Sequence, residues 1–243
     1  MKTLRMTALC VALATTIGIT SSCSNDDNYD WKMLRPTALV TVYPSDNSTF
    51  LLQLDNKTTL VPTNIKKSPF GDKVVRALVN YNEEDNKGNM RNVHINWIDS
   101  IRTKEPVICH SNEEAAKYGN DPIEIIKDWV TVAEDGYITL RIRTKWGPTR
   151  KPHVINLLSG LNAKDPYEME LRHDAKGETE GVWGDALIAF NINKLAAGDK
   201  EKTIKLKWKS FVGEKSIEFK LSMHSKPAIK EGDVKAMMTS FIK

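Results

Sequence analysis

Apolar and polar residues alternate along much of the chain, which is the pattern of β-strands that bury one face. In the N-terminal half, Val93, Ile95 and Trp97 alternate with polar residues, and residues 82–89 have the composition of a charged loop. Short apolar runs that end at turn residues also occur at 39–42, 50–54, 58–61 and 74–81. About five short strands without a convincing helix predict an OB-like β-barrel over residues 33–109.

The C-terminal half shows the same alternation more clearly. Ile138, Leu140 and Ile142 alternate with polar residues, and similar patterns recur at 167–172, 204–209 and 217–221. Two further runs, 154–158 and 186–192, are apolar on both faces, as expected of central strands. About six to eight strands with inward aliphatic and outward charged residues predict an antiparallel β-sandwich over residues 122–225.

A short helix is predicted between these two regions. Ser111 and Glu114 have the spacing of a capping box, and Gly119 suits the end of the helix. We therefore place a short helix and linker at residues 110–121, and a charged tail after the sandwich at residues 226–243. The predicted fold class is mainly β, with a five-stranded barrel followed by a sandwich.

The first residues have the pattern of an export signal. Lys2 and Arg5 precede an uncharged, largely apolar segment that is too short to span a membrane. Three small residues then precede Cys23, an ending that resembles the bacterial lipoprotein box, although Thr20 stands where a leucine is usual. We predict a signal peptide at residues 1–22 and lipidation of Cys23. The alternative is an ordinary secretory cleavage that leaves the cysteine free.

An acidic cluster follows the predicted anchor. Asp26 and Asp27 lie in a polar tether at residues 23–32, and their position resembles the tag that sends some Bacteroidota-type lipoproteins to the cell surface. We therefore expect an outer-membrane protein that is attached through its lipid and exposed on the cell surface. In the alternative, the two aspartates only keep the tether solvated and the protein faces the periplasm.

The numbers of basic and acidic residues indicate whether nucleic acid is an expected partner. Loss of Lys2 and Arg5 with the signal reduces 35 basic residues to 33, against 31 acidic residues. Proteins that bind nucleic acid usually carry a strong basic excess, so we expect no nucleic-acid partner. The barrel aromatic residues Tyr43, Phe50 and Tyr81 are accordingly expected to pack against the protein instead of stacking on bases.

No motif for catalysis or cofactor binding occurs in the sequence. H-E-x-x-H, G-x-S-x-G, C-x-x-C and the glycine-rich phosphate loops are all absent, so we predict no catalytic residue, no metal site and no cofactor. The five histidines are scattered and are expected to be structural. Glu168 and Glu170 share a strand face and could suggest the paired carboxylates of a glycosidase. Arg172 continues that face, however, and such alternating charge is typical of an exposed sheet. Cys109 has apolar neighbours, which predict an inert, buried thiol.

Two rows of cations are the candidate binding residues. Arg141 and Arg143 lie on one strand face, and Lys205, Lys207 and Lys209 lie on another. Such a patch would suit an anionic glycan or the phosphates of lipopolysaccharide. The alternative is that neighbouring glutamates neutralise each row on an exposed sheet.

Several short blocks of sequence occur in a fixed order along the chain, among them PTALVTV at 36–42, INWIDSI at 95–101 and KWKSF at 207–211. Further blocks lie at 128–132, 134–140, 153–157, 165–168 and 171–173. Together they resemble the NigD-like lipoproteins over nearly the whole chain after the predicted cleavage site. The resemblance implies an N-terminal OB-type domain, a C-terminal β-sandwich and a connection to bacteriocin immunity. It transfers no catalytic or binding residue.

These observations predict a non-enzymatic lipoprotein of the outer membrane or cell surface that binds a protein or glycan partner. The alternatives are a bacteriocin immunity lipoprotein and a hydrolase of polysaccharide or peptide. The hydrolase would need histidines or carboxylates from distant parts of the chain to converge in a deep pocket.

Overall fold

The computed structural model describes residues 34–45, 49–55, 57–149, 151–195 and 202–221. The predicted signal peptide, Cys23, the tether and the tail at 226–243 lie outside these residues.

Five strands form a closed barrel in the first part of the described chain. They are β1 (Ala38–Pro44), β2 (Phe50–Gln53), β3 (Thr59–Pro62), β4 (Val75–Lys87) and β5 (Met90–Ser100), in the order β1-β2-β3-β5-β4 around the barrel. The alternation seen in the sequence places one row of each strand inside, where Val40, Phe50, Leu52, Leu60 and Val93 are fully buried. The predicted OB-like barrel is confirmed.

The hairpin of β4 and β5 is longer than expected. The predicted loop at 82–89 is wrong, because β4 continues to Lys87 and the turn is confined to Gly88 and Asn89. Solvent-facing charges on paired strands account for the loop-like composition: Nη1 of Arg91 lies 2.9 Å from Oε1 of Glu83 across the ladder. Shifts of register within the hairpin mark bulges, which bend a strand and help a small sheet to close.

The second part of the chain forms a sandwich. Its elements are β6 (Thr103–Lys104), β7 (Val107–Ile108), α1 (Asn112–Ala116), β8 (Glu124–Ile126), β9 (Val132–Glu134), β10 (Tyr137–Trp146), β11 (Val154–Ser159), β12 (Glu168–Asp174), β13 (Val182–Asn191), β14 (Lys202–Ser210) and β15 (Gly213–Leu221). Within the described residues, the first sheet has the order β6-β13-β10-β8, with β9 also beside β10, and the second sheet has the order β15-β14-β12-β11-β7.

The core of the sandwich lies between these two sheets. The inward residues Leu140 and Phe190 of the first sheet pack with Leu157, Leu171 and Leu206 of the second. The predicted sandwich is therefore confirmed. The pairs β6–β13, β7–β11 and β12–β14 are parallel, so the sheets are not antiparallel throughout.

The chain enters the sandwich earlier than the sequence indicated. The sequence pattern predicts that residues 103–109 belong to the barrel, but β6 and β7 pair with β13 and β11 of the two sandwich sheets. Strands of two residues carry no alternating pattern, which is why the sequence did not reveal them. The helix α1 follows as predicted, and its cap Ser111 accepts a hydrogen bond from the backbone N–H of Glu114 at 3.3 Å.

The barrel packs against the outer face of the first sheet. Leu39 and Ile101 are buried against Ala189 of β13. Beside this apolar contact, the buried Arg76 of β4 donates to Oε1 of Glu134 at 2.6 Å. The Tyr43 hydroxyl, whose pKa is raised chiefly by burial, donates to both carboxylate oxygens of Asp135 at 3.0 and 3.1 Å. We call the four polar residues of this contact the interdomain lock: Tyr43, Arg76, Glu134 and Asp135.

Candidate functional site

The candidate site lies at the end of the first sheet that the barrel leaves uncovered. Leu140 and Ile142 of β10 point into the core, so the intervening Arg141 and Arg143 point outward. The register with β13 places Asp185 opposite Arg143. Two residues further along the ladder, Lys145 lies opposite Trp183, and both side chains are on the same outer face.

The two arginines share one carboxylate. Nε atoms of Arg141 and Arg143 lie 2.8 and 2.5 Å from the carboxylate oxygens of Asp185, and Arg141 also contacts Asp128 at 2.9 Å. Hydrogen bonds from Arg143 and Arg141 lower the pKa of Asp185 to about 2, from its ordinary value of 3.8. The arginines are therefore fixed in position, and much of their charge is neutralised within the protein.

Three exposed apolar side chains and the half-buried Phe211 lie next to this charged network. The Trp183 ring is 51% exposed and meets the ring of Phe211 edge-on, with 4.7 Å between centroids. Val182 and Val212, their chain neighbours, are 78% and 82% exposed. We call these four residues the Trp183 patch. Around the patch, Nζ of Lys145 lies 5.9 Å from the centre of the Trp183 ring.

The turn between β14 and β15 brings Phe211 to this location. The backbone N–H of Phe211 donates to Oε1 of Glu124 at 3.2 Å, and Lys215 from β15 binds the other oxygen of the same carboxylate at 2.9 Å. Since Glu124 belongs to β8, these bonds fasten the turn of the second sheet to the edge of the first. The patch is thus built from both sheets of the sandwich.

A cavity of about 150 Å³ adjoins the patch, and Phe211 and His173 line it. Behind it, His173 Nδ1 lies 3.0 Å from the Pro122 carbonyl oxygen, so Nδ1 must donate. Burial lowers the pKa of His173, and its neutral Nε2 accepts from Nδ1 of His153 at 2.9 Å. The chain of contacts ends with Nε2 of His153 at 4.0 Å from Oε2 of the buried Glu178.

The side chains of His153 and His173 are both buried in the sandwich. The His153 ring stacks on Trp146 with 4.4 Å between centroids, and neither its Nε2 nor the Glu178 oxygens have a hydrogen-bond partner among the described residues. The His153 and Glu178 side chains are both buried, so this convergence of two histidines and a carboxylate lies inside the fold, behind the cavity. It has the geometry of a structural cluster.

The predicted lysine row lies on the opposite side of the sandwich. Lys205, Lys207 and Lys209 alternate with the inward residues of β14 and therefore face outward from the second sheet. Glu168 lies 3.3 Å from Nζ of Lys205 and 2.5 Å from that of Lys207, and its pKa is lowered chiefly by the latter bond. Lys209 is opposite Glu214. The five candidate cations therefore form two separate rows, and anion binding by either row stays a prediction.

The remaining candidates from the sequence are distributed through the fold. Phe50 is in the barrel core, and Tyr81 packs against that core from its edge. Glu170 pairs with Arg172 at 2.9 Å. Cys109 is buried, and burial raises the pKa of its thiol, which disfavours the reactive thiolate.

The sequence did not single out the residues of the Trp183 patch. Trp183 and Phe211 are 28 positions apart, and nothing in either neighbourhood marks an exposed aromatic residue. Their meeting depends on the β10–β13 register and on the anchoring of the Phe211 turn by Glu124. The one available signal was Trp183 two residues before the charged Asp185, on the same face of a strand.

No group of three or more histidine, cysteine, aspartate or glutamate side chains in the described residues is arranged to hold a metal ion. No helix in them combines the length and the apolar character that a membrane crossing requires.

Known structures share this architecture. A protein from Parabacteroides distasonis ATCC 8503, described provisionally as toxin-related, is 25% identical with a TM-score of 0.63 over 85% of this chain and 98% of that one. A NigD-like immunity protein from Bacteroides caccae ATCC 43185 is 22% identical, with a TM-score of 0.53 over 74% and 90% of the two chains. A protein from Bacteroides fragilis NCTC 9343, described provisionally as a lipoprotein, is 11% identical, with a TM-score of 0.55 over 79% and 98%.

Sequence comparison agrees with the two-domain architecture. No curated protein matches the chain. The NigD-like N-terminal OB domain matches residues 39–101, and the NigD-like C-terminal beta sandwich domain matches residues 106–221. The second match begins close to β7, in agreement with the early entry into the sandwich. Because these two domains together account for most of its length, the chain belongs to the NigD-like family.

Proposed function

We propose that this chain is a lipid-anchored protein of the cell envelope that binds a protein partner through the Trp183 patch and catalyses no reaction. The observation that carries the proposal is the exposure of three apolar side chains, those of Val182, Trp183 and Val212, beside the half-buried Phe211 and a group of paired charges. Exposed apolar groups that are rimmed by polar residues typically mark interaction sites on soluble proteins.

The composition of the patch fits a protein partner. Protein interfaces have an apolar centre and a polar rim, and tryptophan and arginine are enriched among the residues that contribute most to affinity. Here Trp183 and Phe211 form the centre, while Arg141, Arg143 and Lys145 lie at the rim. Because Asp185 already fixes both arginines, docking would immobilise few additional side chains.

The position of the patch supports the same function. The outer face of the first sheet already packs against a protein domain at its other end, where the barrel covers Ala189. Trp183 continues this face beyond the barrel. A partner docked there would extend a surface that is already used for protein packing.

The membrane attachment in this proposal rests on the N-terminal sequence. Cleavage before Cys23 and acylation of its side chain and new N-terminus would tether the protein, because several acyl chains anchor stably where one does not. The description of the Bacteroides fragilis structure as a lipoprotein is consistent with this attachment. Metabolic labelling with radioactive palmitate tests it: label must enter the wild type and be absent from Cys23→Ala.

Crosslinking on intact cells tests the binding site. A photoreactive residue at Val212 is expected to crosslink to a partner, whereas the same residue at the exposed Ile108, on the edge of the second sheet, is not. Protease treatment should remove the added mass. Equal products at both positions, or an added mass that only glycosidases remove, would show that the proposal is wrong.

A second candidate function is protection against a secreted toxin. The structure from Bacteroides caccae that shares this fold is described as an immunity protein, which makes a toxin or its receptor one possible kind of protein partner. Deletion of the gene should then sensitise cells to the toxin, and Trp183→Ala should fail to restore resistance. Unchanged sensitivity towards all toxin-producing neighbours would argue against this function.

A further inference from the structure

A cleft of about 490 Å³ lies between the barrel and the sandwich, at the opposite end of the β10–β13 ladder from the Trp183 patch. The Tyr137–Asn191 pair at the cleft and the Trp146–Val182 pair at the patch are nine residue steps apart, or about 30 Å. The volume is within the range of small-molecule sites, which occur preferentially at domain interfaces.

The cleft is lined by two cations that no described residue neutralises. Lys73 precedes β4 and Arg102 follows β5, and neither side chain forms a salt bridge within the described part of the chain. The single carboxylate among the lining residues is that of Glu105, which already has Lys194 at 3.5 Å. Among the described residues, the lining therefore carries more positive than negative charge.

Neutral donors add to these cations. Tyr137 is 3% exposed and lines the cleft, and its hydroxyl makes no hydrogen bond to any described residue. The side-chain oxygen of Asn191 accepts from the backbone N–H of Asn193 at 3.1 Å and from its side-chain amide at 2.8 Å, which leaves the Asn191 NH₂ group as a donor for a ligand. Ser100 contributes an exposed hydroxyl.

These donors come from several directions. Lys73 and Ser100 belong to the barrel, Tyr137 and Asn191 belong to the sandwich, and Arg102 lies in the link between them. Carboxylate oxygens lie in one plane, whereas the oxygens of a phosphate group accept bonds from all sides and carry more charge. The cleft is larger than one phosphate group, and apolar residues such as Val74 and Ile101 also line it. The remaining volume can therefore hold the body of a small molecule.

We propose that the cleft binds a phosphate monoester, with Arg102 and Lys73 contacting the phosphate and Tyr137 donating a hydrogen bond from the sandwich. A free phosphorylated metabolite such as a sugar phosphate and the head group of phosphatidic acid are both phosphate monoesters. The site needs both domains in their present arrangement, which the interdomain lock maintains beside it: the Arg76 guanidinium is 5.8 Å from the centre of the Tyr137 ring.

Calorimetric titration of the detergent-solubilised full-length protein tests the proposal. Glucose 6-phosphate and short-chain dihexanoyl phosphatidic acid are the two probes, with glucose and gluconate as controls. Binding of glucose 6-phosphate identifies a small-molecule site, and binding of the phosphatidic acid alone identifies a head-group site. Absence of binding by both at millimolar concentration, or gluconate binding as tightly as glucose 6-phosphate, overturns the proposal.

Three variants locate the site. Arg102→Gln should weaken binding by at least about tenfold, because a hydrogen bond to a charged group is lost. Tyr137→Phe keeps the ring and should weaken binding by about two- to tenfold, with its folding checked by circular dichroism. Lys117→Gln removes an exposed cation at the end of α1, outside the cleft, and should leave the affinity unchanged. Equal losses in Arg102→Gln and Lys117→Gln, or no loss in Arg102→Gln, overturn the assignment.

Discussion

Replacement of Glu134 by glutamine tests how the two domains are held together. Arg76 belongs to the barrel and is 1% exposed, so its charge depends on contacts with the protein. Its guanidinium donates to Thr41 Oγ1 at 2.8 Å and to Glu134 Oε1 at 2.6 Å, and only Glu134 carries a compensating negative charge. The variant Glu134→Gln keeps the size of the side chain and removes that charge.

The expected loss follows from the burial of the two partners. Removal of one partner of a buried ion pair destabilises a protein by about 3–5 kcal/mol, since it leaves a buried charge uncompensated. The Glu134 side chain is 28% exposed, and the Thr41 hydroxyl remains in contact with Arg76, so we expect the lower end of this range, about 3 kcal/mol. In a chain of this size the unfolding midpoint should fall by about 6–12 °C.

Differential scanning calorimetry of the purified protein measures this loss. Glu83→Gln is the matched control, because Glu83 faces Arg91 in an exposed pair on the barrel and should cost less than about 1 kcal/mol. The double variant Arg76→Met/Glu134→Gln removes both charges and should recover much of the stability that Glu134→Gln loses. If Glu134→Gln were no more destabilising than Glu83→Gln, the lock would not depend on this buried pair.

Three other predictions concern single residues of the sandwich. Gly119 has φ +76°, and a Cβ there would lie 2.6 Å from the carbonyl oxygen of His173, whereas Gly177 has φ +84° and open space around it. Urea unfolding should therefore show Gly119→Ala to be less stable than Gly177→Ala by about 1–3 kcal/mol, and equal losses would contradict the crowding. Asp185 has a pKa of about 2 when folded and an ordinary value of 3.8, so it stabilises the fold above pH 3.8 and ceases to do so as the pH falls to 2. The stability difference between wild type and Asp185→Asn should shrink over that interval, and a difference that is constant with pH would contradict the arginine network. Burial lowers the pKa of His173 below 6.5, so the unfolded chain binds a proton that the folded chain does not, and stability should fall as the pH drops below 6.5. This slope should be smaller in His173→Gln, and an unchanged slope would assign the effect to other groups.

The sequence predicts the fold well wherever one strand face is buried. Alternation in β10 and β14 identifies both the strands and their inward residues, such as Leu140 and Leu206. The same rule fails for β6 and β7, whose two residues each are too few to show a period. It fails again at the end of β4, where both faces are polar and the ladder with β5 maintains the strand.

The candidate surface is less accessible to sequence reasoning than the fold. Arg141 and Arg143 are recognisable as an outward row, but their shared carboxylate, Asp185, follows from a register that the sequence does not specify. Phe211 reaches Trp183 because a turn of one sheet is fastened to the edge of the other. Contacts of this kind arise from tertiary packing, so a local pattern carries no record of them.

The role of Trp183 as the main contact for a protein partner can be measured through the affinity of the crosslinked partner for two purified variants. A buried tryptophan at the centre of an interface contributes about 2 kcal/mol or more, so Trp183→Ala should weaken binding by about 30-fold or more. Lys207→Ala, on the opposite sheet, should leave the affinity unchanged. Equal affinities of the wild type and Trp183→Ala would contradict the proposed function.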